Sequence, residues 1–389
     1  MAYISSNANR WYVARESAYG QAPAITALNR IPAVKLTAQQ QREKSQRKDK
    51  TGSRTWQGMP PGMRIQTSFD LTTYMRDWPD QTTLPSHGPL VEAAMGAAGV
   101  LWPGNNAGLG TTASSIAFNT PHGLNPGQAI TANGEIRFVA AIVDAQTVIL
   151  NAPFSSAPAP GLTLGQTATY NLATQLPSVT IFDYWDPVTA IQRFLCGAGV
   201  DSMSVKLNGD FHQMEFKGIA QDLVDSASFQ SGQGGETTYP AEPAQDGFSY
   251  SPVPGNLGQV WLGVSPSRFC TVSSATIEIQ NDVDTRGKEF GMCLPKGIVP
   301  GNRTVSLTLE LFAMDDAATT ALYQAARQQS AVSVMFQMGQ VAGQLMGIYL
   351  PTLVPTVPQF EDSDKRLQWK FTDVRAQGSA ENEMVVAFG

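Results

Sequence analysis

The sequence predicts a protein dominated by β-structure: two copies of a β domain, each with one helix, and a small β domain inserted in the first copy. Three observations carry this. The chain has 389 residues, 35 of them Gly and 25 Pro, with only 15% charged, so it can bury more than one core and is richer in turns than in long amphipathic helices. Its longest patterned segments alternate apolar and polar residues with the period of a half-buried strand. A turn and strand, PPGMRIQTSFDLTTY (60–74), also return far downstream as VPGNRTVSLTLELFA (299–313).

Taken in order, 65–74 is the first clear strand, with Ile65, Thr67, Phe69 and Leu71 on one face. A short small-residue helix follows, PLVEAAMGAAG (89–99), with Pro near its start and Gly at its end. TIFDYW (180–185), DSMSVKLNG (201–209) and FHQMEFKGIAQD (211–222) read as strands, the last two joined at Asn208-Gly209, a dipeptide suited to a tight hairpin. The C-terminal part repeats the order. A strand carrying Val305, Leu307 and Leu309 precedes a helix at 315–329 whose leading Asp residues cap its free N–H groups. Strands are then expected at 332–338, 343–350 and 366–377.

The ends of the two halves match as well, MEFKGIAQ (214–221) on WKFTDVRAQ (369–377), which sets Phe216 on Phe371. Aligning the two Pro-Gly-x-Arg turns leaves the following strands one residue out of phase, so a bulge or indel is expected there. The expected division is a first domain of 1–99 and 178–231, an insertion at 100–177, a Gly/Pro-rich linker at 232–258, and a second domain at 259–389. Inside the insertion, two apolar strands flank Asn133-Gly134 and a third covers 147–150. Its ends should lie close together, so that replacing 100–176 by a short Gly/Ser linker preserves assembly.

Charge is distributed unevenly. Arg42, Lys44, Arg47, Lys48, Lys50, Arg54 and Arg64 face only Glu43 and Asp49 between 39 and 64, a basic arm on a chain whose net charge is −6. Cys196, Cys270 and Cys293 have no metal or disulfide spacing, and no signal region or membrane-length apolar run exists, so a soluble chain with idle thiols is expected. No phosphate loop, nucleophile elbow, zinc spacing or dinucleotide fingerprint is present. His87, His122 and His212 stand apart from any nucleophile or carboxylate partner. NDVDTRG (281–287) has too few oxygen ligands correctly spaced for a calcium loop. No catalytic, metal or cofactor residue is therefore expected, and the chain is read as a non-enzyme.

RWYVARESAYGQAP, then REKSQ with GSRTW, TSFDLTTYM followed by EAAMGA, and the closing RLQWKFTDVRAQG together resemble tail tube proteins of long-tailed bacteriophages, the kind with a duplicated tube domain. The resemblance covers 10–99 and 179–389. It implies that each copy is a β-sandwich or barrel with one flanking α-helix, and that the chain is a structural virion protein, assembled in the bacterial cytoplasm, whose sheets join laterally into rings that stack as the conduit for DNA ejection. It also implies partners: further copies of the chain, a tape measure protein in the lumen, tail terminator and distal tail or baseplate proteins, and double-stranded DNA in passage without specific binding or membrane contact. Six tube domains per ring would be met by three two-domain chains. Arg42, Lys44, Arg47, Lys48, Lys50 and Arg54 are the candidates for contact between rings, with a short turn, DTRGKEFG (284–291), at the arm's place in the second half. Ile65, Phe69, Leu71, Val305, Leu307 and Leu309 are the candidates for the tube sheet. The insertion would decorate the outside. Two other readings stay open: a virion adhesin or carbohydrate-binding protein, with Trp102 and Trp185 as platform candidates, and a virion hydrolase.

Overall fold

The computed structural model describes residues 3–43, 49–55, 58, 64–244, 250–362 and 365–389. The N-terminal part runs β1 (Asn9–Arg15), β2 (Arg30–Ile31), β3 (Ala33–Arg42), β4 (Ile65–Tyr74) and α1 (Gly88–Met95). Eight short strands follow: β5 (Val100–Trp102), β6 (Asn105–Asn106), β7 (Ser115–Ala117), β8 (Ala129–Ala132), β9 (Glu135–Asp144), β10 (Thr147–Leu150), β11 (Thr163–Leu164) and β12 (Thr167–Asn171). Then come β13 (Val179–Trp185), β14 (Arg193–Leu207), β15 (Gln213–Ala220) and β16 (Asp222–Asp225). The C-terminal part runs β17 (Gly258–Gly263), β18 (Ser267–Phe269), β19 (Val272–Gln280), β20 (Asp284–Thr285), β21 (Ile298–Val299), β22 (Thr304–Phe312) and α2 (Ala317–Gln328). It closes with β23 (Val332–Met338), β24 (Met346–Leu353), β25 (Gln359–Glu361), β26 (Gln368–Arg375) and β27 (Val385–Phe388). The protein is thus mainly β, as its turn-rich, alternating sequence requires.

Local chemistry explains the punctuation. Asn133 and Gly134 both take positive φ, the demand of a two-residue hairpin turn between β8 and β9. The Asp316 carboxylate accepts from the Thr319 N–H at 2.7 Å and caps α2, satisfying one of its free N–H groups. The two helices differ in setting. α2 buries Thr319, Leu322, Ala325 and Ala326 and leaves its other face in solvent, whereas α1 buries every residue from Leu90 to Met95. A helix that is apolar nearly all round must be enclosed, and α1 lies among β1, β12, β13 and β14.

One sheet runs continuously as β3-β4-β15-β14-β19-β22-β26-β25, every pair antiparallel. β14 is long enough to leave this layer: its first residues pair with β13 and β16 in a second layer, β2-β1-β13-β14-β16. The C-terminal part has its own second layer, β18-β17-β23-β24-β27-β12-β5. The largest apolar core draws side chains from both kinds of layer, including Phe69, Leu71, Phe216, Leu307, Leu309, Phe336 and Phe371.

The pairings of the two parts correspond strand for strand. Apart from the added pairings of β19 with β14 and of β27 with β12, the strands β1, β2, β3, β4, β13, β15 and β16 have the partners that β17, β18, β19, β22, β23, β26 and β27 have, and β14 does the work of β24 and β25 together. Two irregularities coincide too, although the slip between Leu307 and Leu309 in β22–β26 has no counterpart in β4–β15. The β3–β4 ladder slips between Ala33 and Lys35 and the β19–β22 ladder between Val272 and Ser274, each two residues short of the same paired position. The β13–β14 ladder slips between Val179 and Ile181, and β23–β24 between Val332 and Val334. Leu71, opposite Leu36 and Phe216, corresponds to Leu309, opposite Ala275 and Phe371.

Two expectations change. β5 and β12 pair with each other, and β12 pairs with the C-terminal β27, so both belong to the seven-stranded layer rather than to a separate insertion. The self-contained part is 103–166, with a core around Ile116, Phe118, Ile130, Val139 and Val148. Its ends do lie together, since Trp102 is opposite Thr167. This part is also anchored to the C-terminal half. The wholly buried Arg137 donates to the Gln337 side-chain oxygen at 3.0 Å, to the Pro153 carbonyl at 2.9 Å and to Gln259 at 3.0 Å, pairs with Glu135, and sits between the rings of Trp261 and Phe154. Burial pulls its guanidinium down to about 10. Second, the connection between β19 and β22, 281–303, matches that between β3 and β4, 43–64, in length to within a residue, so it is no short turn. DTRGKEFG is only part of it, and β20 and β21 pair within it.

Candidate functional site: a polar sheet face, two open edges and two end loops

Alternation gives the eight-stranded sheet two unlike faces. Its core face carries Phe69, Leu71, Met203, Val205, Phe216, Ile277, Leu307, Leu309 and Phe371, all buried. The opposite face is polar on every strand: Lys35, Thr37 and Gln39 on β3; Gln66, Ser68, Asp70 and Thr72 on β4; Glu215 and Lys217 on β15; Ser204 and Lys206 on β14. It continues with Thr276 and Glu278 on β19, Ser306, Thr308 and Glu310 on β22, and Gln368, Lys370 and Thr372 on β26.

Except for Lys35, the cations of this face lie beside carboxylates. Lys217 and Lys206 lie 2.8 and 3.7 Å from the Glu215 carboxylate, Lys370 lies 2.7 Å from Glu310, and Arg375 lies 3.5 Å from Asp373. The hydrogen bond from Lys217 holds the Glu215 carboxyl below its ordinary range, and Lys370 does the same for Glu310. Such exposed pairs add little stability, because water and salt screen them. Their effect is on the field of the surface, which presents hydroxyls, amides and neutralised pairs.

Both outer strands are open. β3 has β4 as its one partner and β25 has β26, so each presents a row of free backbone groups on its far side among the described residues. Phe360 on β25 is 55% exposed although it stacks on Trp369 at 5.4 Å and adjoins Tyr323 at 6.0 Å.

The two end loops meet at one end of this sheet. Ile65 N–H donates to the Cys293 carbonyl at 3.0 Å and the Arg64 guanidinium to the Lys288 carbonyl at 3.1 Å. Arg42 closes β3 opposite Ile65, and Lys50 and Arg54 are exposed beyond it; Lys44, Arg47 and Lys48 lie outside the described residues. Residues 39–42 belong to the β3 ladder, so the arm begins at Glu43 rather than Gln39. At the other end of the same strands stand the exposed Asp210, Asp315, Asp316, Glu361 and Asp362.

Ile65, Phe69, Leu71, Val305, Leu307 and Leu309 all lie in the eight-stranded sheet, on β4 and β22, with side chains on its core face or, for Ile65, half-buried at its end. They shape the wall from behind. The residues that face away from the core, and the open strand β3, had no mark in the sequence beyond polar alternation.

A family model described as phage tail tube protein matches residues 6–368. The chain belongs to that family. No curated protein matches it. Membership gives it a structural role in the tail tube and places it in the tail of a virion. The three histidines have structural partners in this tube protein: His87, His122 and His212 are buried, each with Nε2 3.0 Å from a backbone carbonyl, of Tyr74, Asp144 and Leu257. Trp102, a candidate glycan platform, is buried in the 103–166 core and donates to the His122 carbonyl at 2.8 Å, so it offers no exposed ring. Cys196 is buried, its thiol pushed up to about 12 by desolvation, while Cys270 and Cys293 are exposed. Among the described residues no cluster of three or more His, Cys, Asp or Glu side chains is placed to hold a metal, and no helix is long and apolar enough to cross a membrane.

Proposed function

We propose that three copies of this chain close edge to edge into a ring, that each chain supplies two tube domains descended from one duplicated unit, and that stacked rings form the conduit through which DNA leaves the virion. The observation that carries the reading is the order of the eight-stranded sheet: β3-β4-β15-β14 followed by β19-β22-β26-β25, the same four-strand unit twice, with both ends unpaired. A sheet with two open edges either aggregates or closes on further copies of itself. Six units around a ring require three chains. A barrel of that many strands leaves an open bore, since diameter grows with strand number.

In the ring the polar face lines the bore. Each unpaired lysine there would take a DNA phosphate and release its counterion, slowing passage. The pairing of Lys206, Lys217, Lys370 and Arg375 with carboxylates supports a wall that lets the duplex slide. The 103–166 domain, on the layer opposite that face, would stand outside. The basic arm, at one end of the strands, would meet Asp210, Asp315, Asp316, Glu361 or Asp362 of the next ring at the other, an attraction that sets register and assembly rate. A tape measure protein in the bore and terminator and distal tail proteins at the ends complete the proposed partners.

The test is electron microscopy of the protein assembled at high concentration. Stacked rings with three chains each are expected; six chains per ring would remove the duplication reading, and failure to polymerise under any condition would remove the ring.

A further inference from the structure

The joint between the two halves of one chain is a template for the joint between chains. We infer that β25 of one copy pairs antiparallel with β3 of the next, with Gln359 opposite Gln39, Phe360 opposite Ala38 and Glu361 opposite Thr37, an inference that rests on the ring proposed above.

The register follows from the internal correspondence. Inside the chain the two units join where β14 meets β19, with Val205 opposite Ile277 and Lys206 opposite Thr276. Val205 lies opposite Met214, which lies opposite Thr73; Phe360 lies opposite Trp369, which lies opposite Leu311. Thr73 and Leu311 occupy the same place in their hairpins, two residues beyond Leu71 and Leu309, so Phe360 stands where Val205 does. Ile277 is opposite Leu307 and Ala38 is opposite Phe69, and these are again equivalent, two residues before Leu309 and Leu71. Ala38 therefore stands where Ile277 does.

Side-chain chemistry agrees at each position. At the internal joint the pair Val205 and Ile277 is buried, both at 1% exposure. At the open edges the same pair reads Phe360 and Ala38, a large residue against a small one, which keeps the combined volume nearly constant and would cover the exposed ring. Glu361, opposite Thr37, falls diagonal to Lys35, a cation of the polar face with no ion pair among the described residues, within reach of a cross-strand contact. The buried Pro358 has no N–H to give, which confines regular pairing to the three residues of β25. The joint between chains is thus about half the length of the one within a chain, where six residues of β14 pair with β19. Ring walls would alternate long joints within a chain with short separable ones between chains.

Cysteine cross-linking tests the register. In a chain with Cys270→Ser and Cys293→Ser, the pair Gln39→Cys with Gln359→Cys should yield covalent trimers from assembled tubes on oxidation or with a short bis-thiosulfonate. Gln41→Cys with Gln359→Cys, displaced by two residues, should yield at least fivefold less, because diagonal neighbours are too far apart for a disulfide. Hydrogen exchange on the unsubstituted protein is the second measurement, with protection gained on assembly at 37–39 and 359–361. Tubes that form while the displaced pair links better, or that gain no protection at these amides, overturn the register and leave the ring standing. If the unsubstituted protein forms no rings at all, the ring reading fails and the register falls with it.

Discussion

Phe371 lies directly opposite Leu309 in the β22–β26 ladder, and both side chains are buried. Phe216 and Leu71 have the same relationship in the β4–β15 ladder. Two aromatic–aliphatic pairs in matching places would mean little alone. Here the strands around them also pair in the same order and slip at the same two points, which local propensity does not produce, since a bulge displaces every side chain beyond it. The one-residue offset between the two turns and the strands after them is absorbed in the end loops, leaving the β3–β4 and β19–β22 ladders in register, while β22–β26 has a slip of its own between Leu307 and Leu309.

That correspondence predicts equal behaviour on substitution. Phe216→Ala and Phe371→Ala each empty a buried aromatic site and should cost about 3–5 kcal/mol. Urea unfolding of the two variants should show losses within about 1 kcal/mol of each other, the smaller at Phe371, which is nearer the open edge.

His87 gives a pH prediction. Its ring is buried between the Tyr74 carbonyl and the Phe388 ring, at the start of α1, and burial, aided by the charge of Arg76, pushes it down to about 4. The unfolded chain binds a proton at this residue near pH 6.5, the folded chain only near 4. Stability is therefore intact above 6.5 and is lost as pH falls toward 4, by on the order of 3 kcal/mol. A His87→Gln variant should be less stable at neutral pH and should lose less between pH 6.5 and 4, as read by chemical denaturation at each pH.

Arg137 ties the 103–166 domain to the C-terminal half. Removing it takes one of two donors from the Gln337 oxygen, leaves the Glu135 carboxylate without its cation and empties the space beside the ring of Trp261, so Arg137→Ala should destabilise by about 3–5 kcal/mol. Differential hydrogen exchange should show the loss concentrated in β8, β9 and the facing β23. The same contacts set the limits of deletion. Replacing 103–166 by a Gly/Ser linker uncovers Trp261, Met335 and Leu345 but keeps β5 and β12, and should give a folded, less soluble chain. Replacing 100–176 also removes one of the two partners of β27 and should give no soluble protein.

Much of this was legible in the sequence, and the gaps have physical causes. The strands β4 and β22 alternate over most of their length, Asp316 begins α2, and Asn133-Gly134 and Asn208 mark their turns. Local pattern carries all of those. It does not carry partnership at long range. Nothing in Thr167–Asn171 states that it will lie beside Val385–Phe388, and that single pairing moved the insertion's boundary. Nor does a uniform run such as Arg193–Leu207 reveal that it bends from one layer to the other, because each half of it is a normal strand. For the proposed contact sites, the polar face was visible as alternation, whereas the open edge of β3 depends on which strand is last, a property of the whole sheet.

The basic arm should govern stacking. Reversing Arg42, Lys44, Arg47 and Lys48 to Glu should leave folded chains that close into rings but do not form tubes, and tubes of the unsubstituted protein should shorten as salt rises and screens the contact. Light scattering and microscopy across a salt series distinguish this from an arm that is merely solvated, for which tube length would be unchanged.

The most direct measurement is the rotational symmetry of the assembled tube, determined by cryo-electron microscopy at a resolution that separates strands. The account predicts three chains per ring, six similar four-strand units around the bore, and β25 of each chain beside β3 of the next. A ring of six chains, or a wall in which β3 and β25 face solvent, would contradict it.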